Sequence, residues 1–176
     1  MTLTALPAPA GSRWGRRLRW AVAVSAVAGI DLGIKAWARI ALDGSPIEAG
    51  PVDLRLAFNP GAAFSIAADA PAWVMVALTT VITTAVVVAG WWLAPRASLL
   101  TRGGLAALGG GAVANVIDRV PDGVVTDYLH TGWWPTFNLA DTAIVAGAAA
   151  LVFANLTRSS DERRPRSTDH HTVNET

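Results

Sequence analysis

Two aspartates, Asp127 and Asp141, stand fourteen positions apart on either side of a Trp133-Trp134-Pro135 turn. Asp127 lies in a short β-prone run, Val124 to Tyr128, and Asp141 opens a long apolar stretch, three residues after Asn138. That length of chain permits a fold-back that joins the two carboxyls. Close carboxylates do not both ionise cheaply, so one keeps a proton while the other stays charged, and one residue type then supplies a general acid and a general base. Spacing alone leaves two other readings open, a solvated pair and a cation site. Asn115, Asp118 and Arg119 follow at helical spacing and put an amide, a carboxylate and a guanidinium on one face, either to hold a peptide backbone or to link helix ends. Asp31 and Lys35 are four apart and can neutralise each other while docking one helix onto its neighbours. The chain has no cysteine, which excludes a thiolate metal site and a cysteine nucleophile. With His130 alone and His170 and His171 in a polar tail, no metal site is expected.

The elements that must position these groups are read from hydropathy. Of 176 residues, 52% are hydrophobic and only 15% charged, which points to one compact membrane domain, and a net charge of +1 offers no field for nucleic acid. Four windows approach the length of about 20 apolar residues that a spanning helix needs. They run from about Trp20 to Leu42, Ala70 to Pro95, Leu99 to Val120 and Phe137 to Leu156. The first carries Asp31, Lys35 and Arg39; the third carries Gly103, Gly104, Gly109, Gly110 and Gly111, which permit close helix approach. The expectation is an all-α membrane protein of four transmembrane helices, residues 18–156, between disordered cytoplasmic segments at 1–17 and 157–176.

Basic residues orient the spans. Arg13, Arg16, Arg17 and Arg19 precede the first, Arg96 and Arg102 flank the link between the second and third, and Arg158, Arg163, Arg164 and Arg166 follow the fourth. The other two connections hold Asp43, Glu48, Asp53, Asp69, Asp122 and Asp127 against Arg55, so they face outward and both termini face the cytoplasm. Trp20, Trp91 and Trp92 are expected at inner interfaces, and Trp37, Trp73, Trp133 and Trp134 at or near outer ones. The basic start and the run Ala21 to Ile30 also suit a cleavable secretory signal, but apolar character resumes past Asp31 to Leu42. Between spans one and two, Val52, Leu54, Leu56 and Phe58 alternate with Asp53, Arg55 and Ala57 ahead of an Asn59-Pro60-Gly61 turn and Ala62 to Ile66. This predicts a small extracytoplasmic β hairpin, either a cradle for a lipid-bearing peptide or a cap on the bundle.

Five separated blocks in order resemble lipoprotein signal peptidase, also called signal peptidase II. They are Asp31-Leu-Gly-Ile-Lys35, Asn59-Pro-Gly-Ala-Ala-Phe64, Gly110-Gly-Ala-Val-Ala-Asn115-Val-Ile-Asp118-Arg119, Val125-Thr-Asp127-Tyr128 and Phe137-Asn138-Leu-Ala140-Asp141. The resemblance covers roughly residues 18 to 156. It implies an aspartic endopeptidase that removes signal peptides from diacylglyceryl-modified prolipoproteins by cutting before the lipidated cysteine. Asp127 and Asp141 would be the catalytic pair, with Asn59, Gly61, Asn115, Arg119 and Asn138 contacting substrate or ordering the site. Asp118 would support Arg119, and Asp31, Lys35, Phe64 and Ala140 would support the rest. The implied enzyme is a monomer without cofactor in the bacterial cytoplasmic membrane, its partners prolipoproteins and membrane lipid, and its site at the outer face. Ala114 departs from the family's usual glycine, which suggests a tuned fit.

Two other classes leave marks to look for. A small transporter would use Asp31, Lys35, Asp118 and Asp141 as a relay and would usually show broken helices or repeated halves. A packing scaffold would use the glycine-rich third span and would leave the polar blocks without a task.

Overall fold

The computed structural model describes residues 13–61 and 71–162. Helix α1 spans Arg13–Ala41, strand β1 Asp53–Asn59, helix α2 Ala72–Leu93, helix α3 Leu99–Arg119, strand β2 Val125–His130 and helix α4 Leu139–Glu162. Among the described residues, three stretches are long and apolar enough to cross a membrane: Arg13–Ala41, Ala72–Leu93 and Leu139–Arg158. At 22 residues, α2 is about 33 Å long, which matches a hydrocarbon core of about 30 Å. It carries no charged residue and buries only Thr83 and Gly90. The rest of its surface can face lipid.

Helix α3 is the centre of the bundle, packed against α1, α2 and α4. Its glycines set the distance to two of these neighbours. A Cβ on Gly111 would meet the Ala140 carbonyl of α4, and one on Gly110 would come 2.8 Å from the Val24 carbonyl of α1. Small residues let backbones approach this closely, and in a bilayer such packing replaces the hydrophobic drive that water would supply. Ala114, where the family pattern has glycine, is fully buried with Ala28 and Ala140. Its methyl fills the three-helix contact.

Several expectations change here. Residues 13–17 are helical, because Arg16 and Arg17 reach the Pro95 and Trp91 carbonyls and Arg17 lies over the Trp91 and Trp92 rings. Helix α4 continues past 156, as no Gly or Pro intervenes between Gly147 and Pro165. The remainder of the segments 1–17 and 157–176, namely 1–12 and 163–176, lies outside the described residues. Trp20 is buried within the bundle, its indole occupying space that a Cβ on Gly90 would take.

The β element also differs. β1 pairs antiparallel with β2, so among the described residues the sheet joins the α1–α2 connection to the α3–α4 connection. The register sets Asn59 opposite Val125, Phe58 opposite Thr126 and Ala57 opposite Asp127, with an irregularity between Leu54 and Ala57. Local alternation identified β1 correctly, but it carries no information on a partner far along the chain. Ala62 to Ile66, the expected second strand, and Phe64 with it, lie outside the described residues.

Candidate active site

The start of α4 organises the site. A helix begins with backbone N–H groups that have no partner within it, and in an apolar setting each must find one. Asn138 and Asp141 form a reciprocal cap: Asn138 Oδ1 accepts from the Asp141 N–H at 2.9 Å, and Asp141 Oδ2 accepts from the Asn138 N–H at 3.2 Å. The Leu139 N–H donates to the Tyr128 hydroxyl oxygen at 3.0 Å. The Ala140 N–H donates to Asp31 Oδ1 of α1 at 2.9 Å. Every early donor of α4 is satisfied, and Asp141 is locked in one rotamer by its share in the cap.

The second aspartate comes from β2. Asp127 accepts from Asn138 Nδ2 at 2.6 Å through one oxygen and from Asn59 Nδ2 at 3.2 Å through the other. A single amide, Asn138, therefore contacts both aspartates. Asn59 is fixed in turn by the Gly61 N–H, which donates to its Oδ1 at 2.8 Å. Asp127 is 2% exposed, and burial together with the nearby Asp141 raises its carboxyl to about 6, against the lowering effect of the Asn138 and Asn59 hydrogen bonds. Burial also raises the Tyr128 phenol, which keeps it neutral as a donor to Asp31 at 3.3 Å.

A buried ionic layer lies beneath. Asp31 and Lys35, 0% and 1% exposed, pair at 2.9 Å. Lys35 also donates to Asn115 Oδ1 at 2.6 Å, which turns the Asn115 amide so that its Nδ2 donates to Asp141 Oδ1 at 2.8 Å. Asp118 acts on Arg119 only through its nearby charge. Its ion pairs run to Arg39 at 3.0 Å and Lys35 at 3.4 Å, and it accepts the Thr126 N–H at 2.6 Å, so its direct bonds hold β2. Arg119 is buried, its Nε has no hydrogen-bond partner among the described residues, and its guanidinium lies against Gly61, whose φ of +89° and crowded Cβ position require glycine. Its positive charge lies within electrostatic reach of Asp127, Asp118 and Asp141.

The structure thus brings together Asp31, Lys35, Asn59, Asn115, Asp127, Asn138, Ala140 and Asp141, with Gly61 beside Arg119. Arg39, Thr126 and Tyr128 were not singled out for roles in the sequence. The signal for Arg39 was its place one helical turn beyond Lys35 on the face that carries Asp31. An apolar groove of about 520 Å³ runs from Asp141 along Val145, Ala146 and Ala149, with Trp133 and Trp134 at its rim. No cluster of three potential metal ligands occurs among the described residues.

Two solved structures described as bacterial membrane enzymes superpose on the chain with TM-scores of 0.71 and 0.67, at 23% and 24% identity. They cover 84% and 78% of this chain and 93% and 92% of their own. The family model described as signal peptidase (SPase) II matches residues 23–157, and the chain belongs to that family. The lipoprotein signal peptidase of Azoarcus sp. (strain BH72) is 38% identical over 149 residues, covering 79% of this chain and 83% of the relative. That of Mycobacterium avium (strain 104) is 38% identical over 152 residues, covering 80% and 81%. The protein is a multi-pass bacterial membrane peptidase.

Proposed function

We propose that this chain is an aspartic endopeptidase that cleaves diacylglyceryl-modified prolipoproteins immediately before the lipidated cysteine, with Asp127 and Asp141 as its catalytic pair. The observation that carries this reading is the bridge through Asn138, which hydrogen-bonds an aspartate from β2 with its side chain and caps the helix that bears the other. In this mechanism Asp127, its carboxyl raised to about 6, holds the shared proton. Asp141 takes a proton from water as the water oxygen attacks the scissile carbonyl, and Asp127 gives its proton to the carbonyl oxygen. The gem-diol then collapses: the C–N bond breaks, the leaving amine takes a proton from Asp141, and Asp127 takes the proton of one gem-diol hydroxyl as that oxygen re-forms the carbonyl of the new carboxyl group. The products are the signal peptide and a free amine on the lipidated cysteine.

Arg119 and Asn115, with Asn59 and Gly61, hold the substrate backbone and stabilise charge that develops on the carbonyl. Arg119 suits this task because its charge is already desolvated and its Nε has no partner among the described residues. Affinity comes from the acyl chains, at about 0.8 kcal/mol per buried methylene, so the signal-peptide sequence can vary. No cofactor enters the reaction, and one chain suffices for it.

We take α3 as a fourth span. Its place among the other three helices supports this, as do the arginines at both ends of the α2–α3 link. Both termini then face the cytoplasm, and the sheet and the aspartates lie at the outer face of the bacterial cytoplasmic membrane. The test is incubation of the purified chain in detergent with a diacylated precursor peptide. The native chain is expected to cut before the lipidated cysteine, and Asp127→Asn and Asp141→Asn each to lose at least about 10²- to 10⁴-fold in kcat while still inserting in membranes. Full activity in either variant would remove the pair from the mechanism.

A further inference from the structure

Arg39 lies at the outer end of α1, 36% exposed at its side chain, and touches neither aspartate. Its three nitrogens are nevertheless all engaged on the segment that delivers Asp127. Nε donates to Thr126 Oγ1 at 2.7 Å, Nη2 to Asp118 Oδ1 at 3.0 Å, and Nη1 to Asp122 Oδ2 at 3.3 Å. Asp118 closes the ring, since its Oδ2 accepts the Thr126 N–H at 2.6 Å and its Oδ1 accepts the Thr126 hydroxyl at 3.2 Å. Thr126 is fully buried and immediately precedes Asp127. The guanidinium also lies over the Phe58 ring at 5.6 Å, and Phe58 is the strand partner of Thr126 and immediately precedes Asn59, a donor to Asp127.

We infer that Arg39 is a positioning residue: it clamps Thr126 and Phe58 together, and so sets Asp127 and its donor Asn59 in register with the start of α4. The inference rests on the reading of Asp127 as catalytic. The fork geometry explains the residue type. A planar guanidinium meets a hydroxyl, two carboxylates and a ring face at once, whereas an ammonium keeps only a charge contact. A small displacement at this point reaches the reacting atoms, because Asp127 is the next residue in a strand whose side chains are buried on both faces.

The experiment compares steady-state cleavage of a diacylated precursor peptide by the full chain in detergent, as native, Arg39→Gln, Arg39→Lys, Thr126→Val, Arg39→Gln/Thr126→Val and Asp127→Asn. Arg39→Gln is expected to lower kcat by up to about 10²-fold with KM within about twofold, as misplacement of a reacting group does. Arg39→Lys should recover part of that loss. Thr126→Val keeps the strand and its N–H to Asp118, so it should fold and lose kcat by less. The double variant should be no slower than Arg39→Gln, because both substitutions break the same link. Additive losses, or a raised KM with kcat kept, would overturn the clamp. If Asp127→Asn still cleaves, the catalytic reading falls and this inference with it; if Asp127→Asn is dead and Arg39→Gln fully active, only the inference falls.

Discussion

The two ends of the bundle use charge in opposite ways. At the end near the α2–α3 link, arginines reach partly buried backbone carbonyls: Arg16 the Pro95 carbonyl, Arg17 that of Trp91, and Arg102 those of Ala94 and Ala97. These carbonyls close α2 or follow it, where a helix leaves acceptors unpaired and its dipole favours a cation. At the other end, Asp31, Lys35, Asp118 and Asp127 are buried, and each is fixed by named side-chain partners. The first arrangement tolerates exchange because water and lipid headgroups can replace a lost contact. The second does not, because a removed partner leaves a charge or an N–H in a place that water does not freely reach.

That contrast can be broken most severely at Asn138. Asn138→Ala removes the helix cap and a hydrogen bond to Asp127 together, and should lower kcat by about 10²-fold while costing about 1 kcal/mol or more of stability. Steady-state cleavage and thermal unfolding in detergent separate the two effects, and a variant with native kcat would mean that the bridge between the aspartates is idle. Asp31→Ala comes next. It leaves Lys35 without its nearest carboxylate and the Ala140 N–H bare, so a loss of about 3–5 kcal/mol is expected from unfolding; a native-like melting temperature would show that the buried pair is dispensable.

The pH profile sharpens the comparison from the active end. A carboxyl raised to about 6 is protonated below that pH and ionised above it, and the proposed mechanism uses the pair with one proton. The ratio kcat/KM should therefore fall as pH rises through about 6 in the free enzyme, and the fall in kcat should lie higher once substrate has excluded water. A fall on the acid side of 6 instead would exchange the roles of Asp127 and Asp141. The smallest effect belongs to the other end. Arg17→Gln gives up a carbonyl contact and the stacking on Trp91 and Trp92, and should cost no more than about 1 kcal/mol, with kcat unchanged. A loss as large as that of Asp31→Ala would erase the distinction between the two ends.

Much of the site could be read without coordinates. Hydropathy located the helices to within several residues, and the four-residue spacing of Asp31 and Lys35 foretold their pairing, because both signals are local and periodic. The partner of β1 was not legible for the complementary reason: alternation marks a strand but says nothing about its mate, and β1 pairs with β2 across more than sixty residues. The direct partners of Asp118 were not legible from its neighbour Arg119, because adjacent residues on a helix point about 100° apart. The Asp118 carboxylate turns to Arg39 and Thr126 instead.

Residue order by itself determined that this chain enters a membrane, which connections carry acidic residues and which carry arginines, and that it carries five polar blocks of one peptidase family. Those properties are sums over short windows, and no partner is needed to read them. Only the packed chain decided that Asp31 caps a helix 109 positions away, that one asparagine serves both aspartates, and that an arginine outside those blocks holds the strand beneath one of them. Such links depend on which backbones approach closely, and here that was settled by glycines and alanines in α3, whose small side chains are what bring α1 and α4 within reach of the same few atoms.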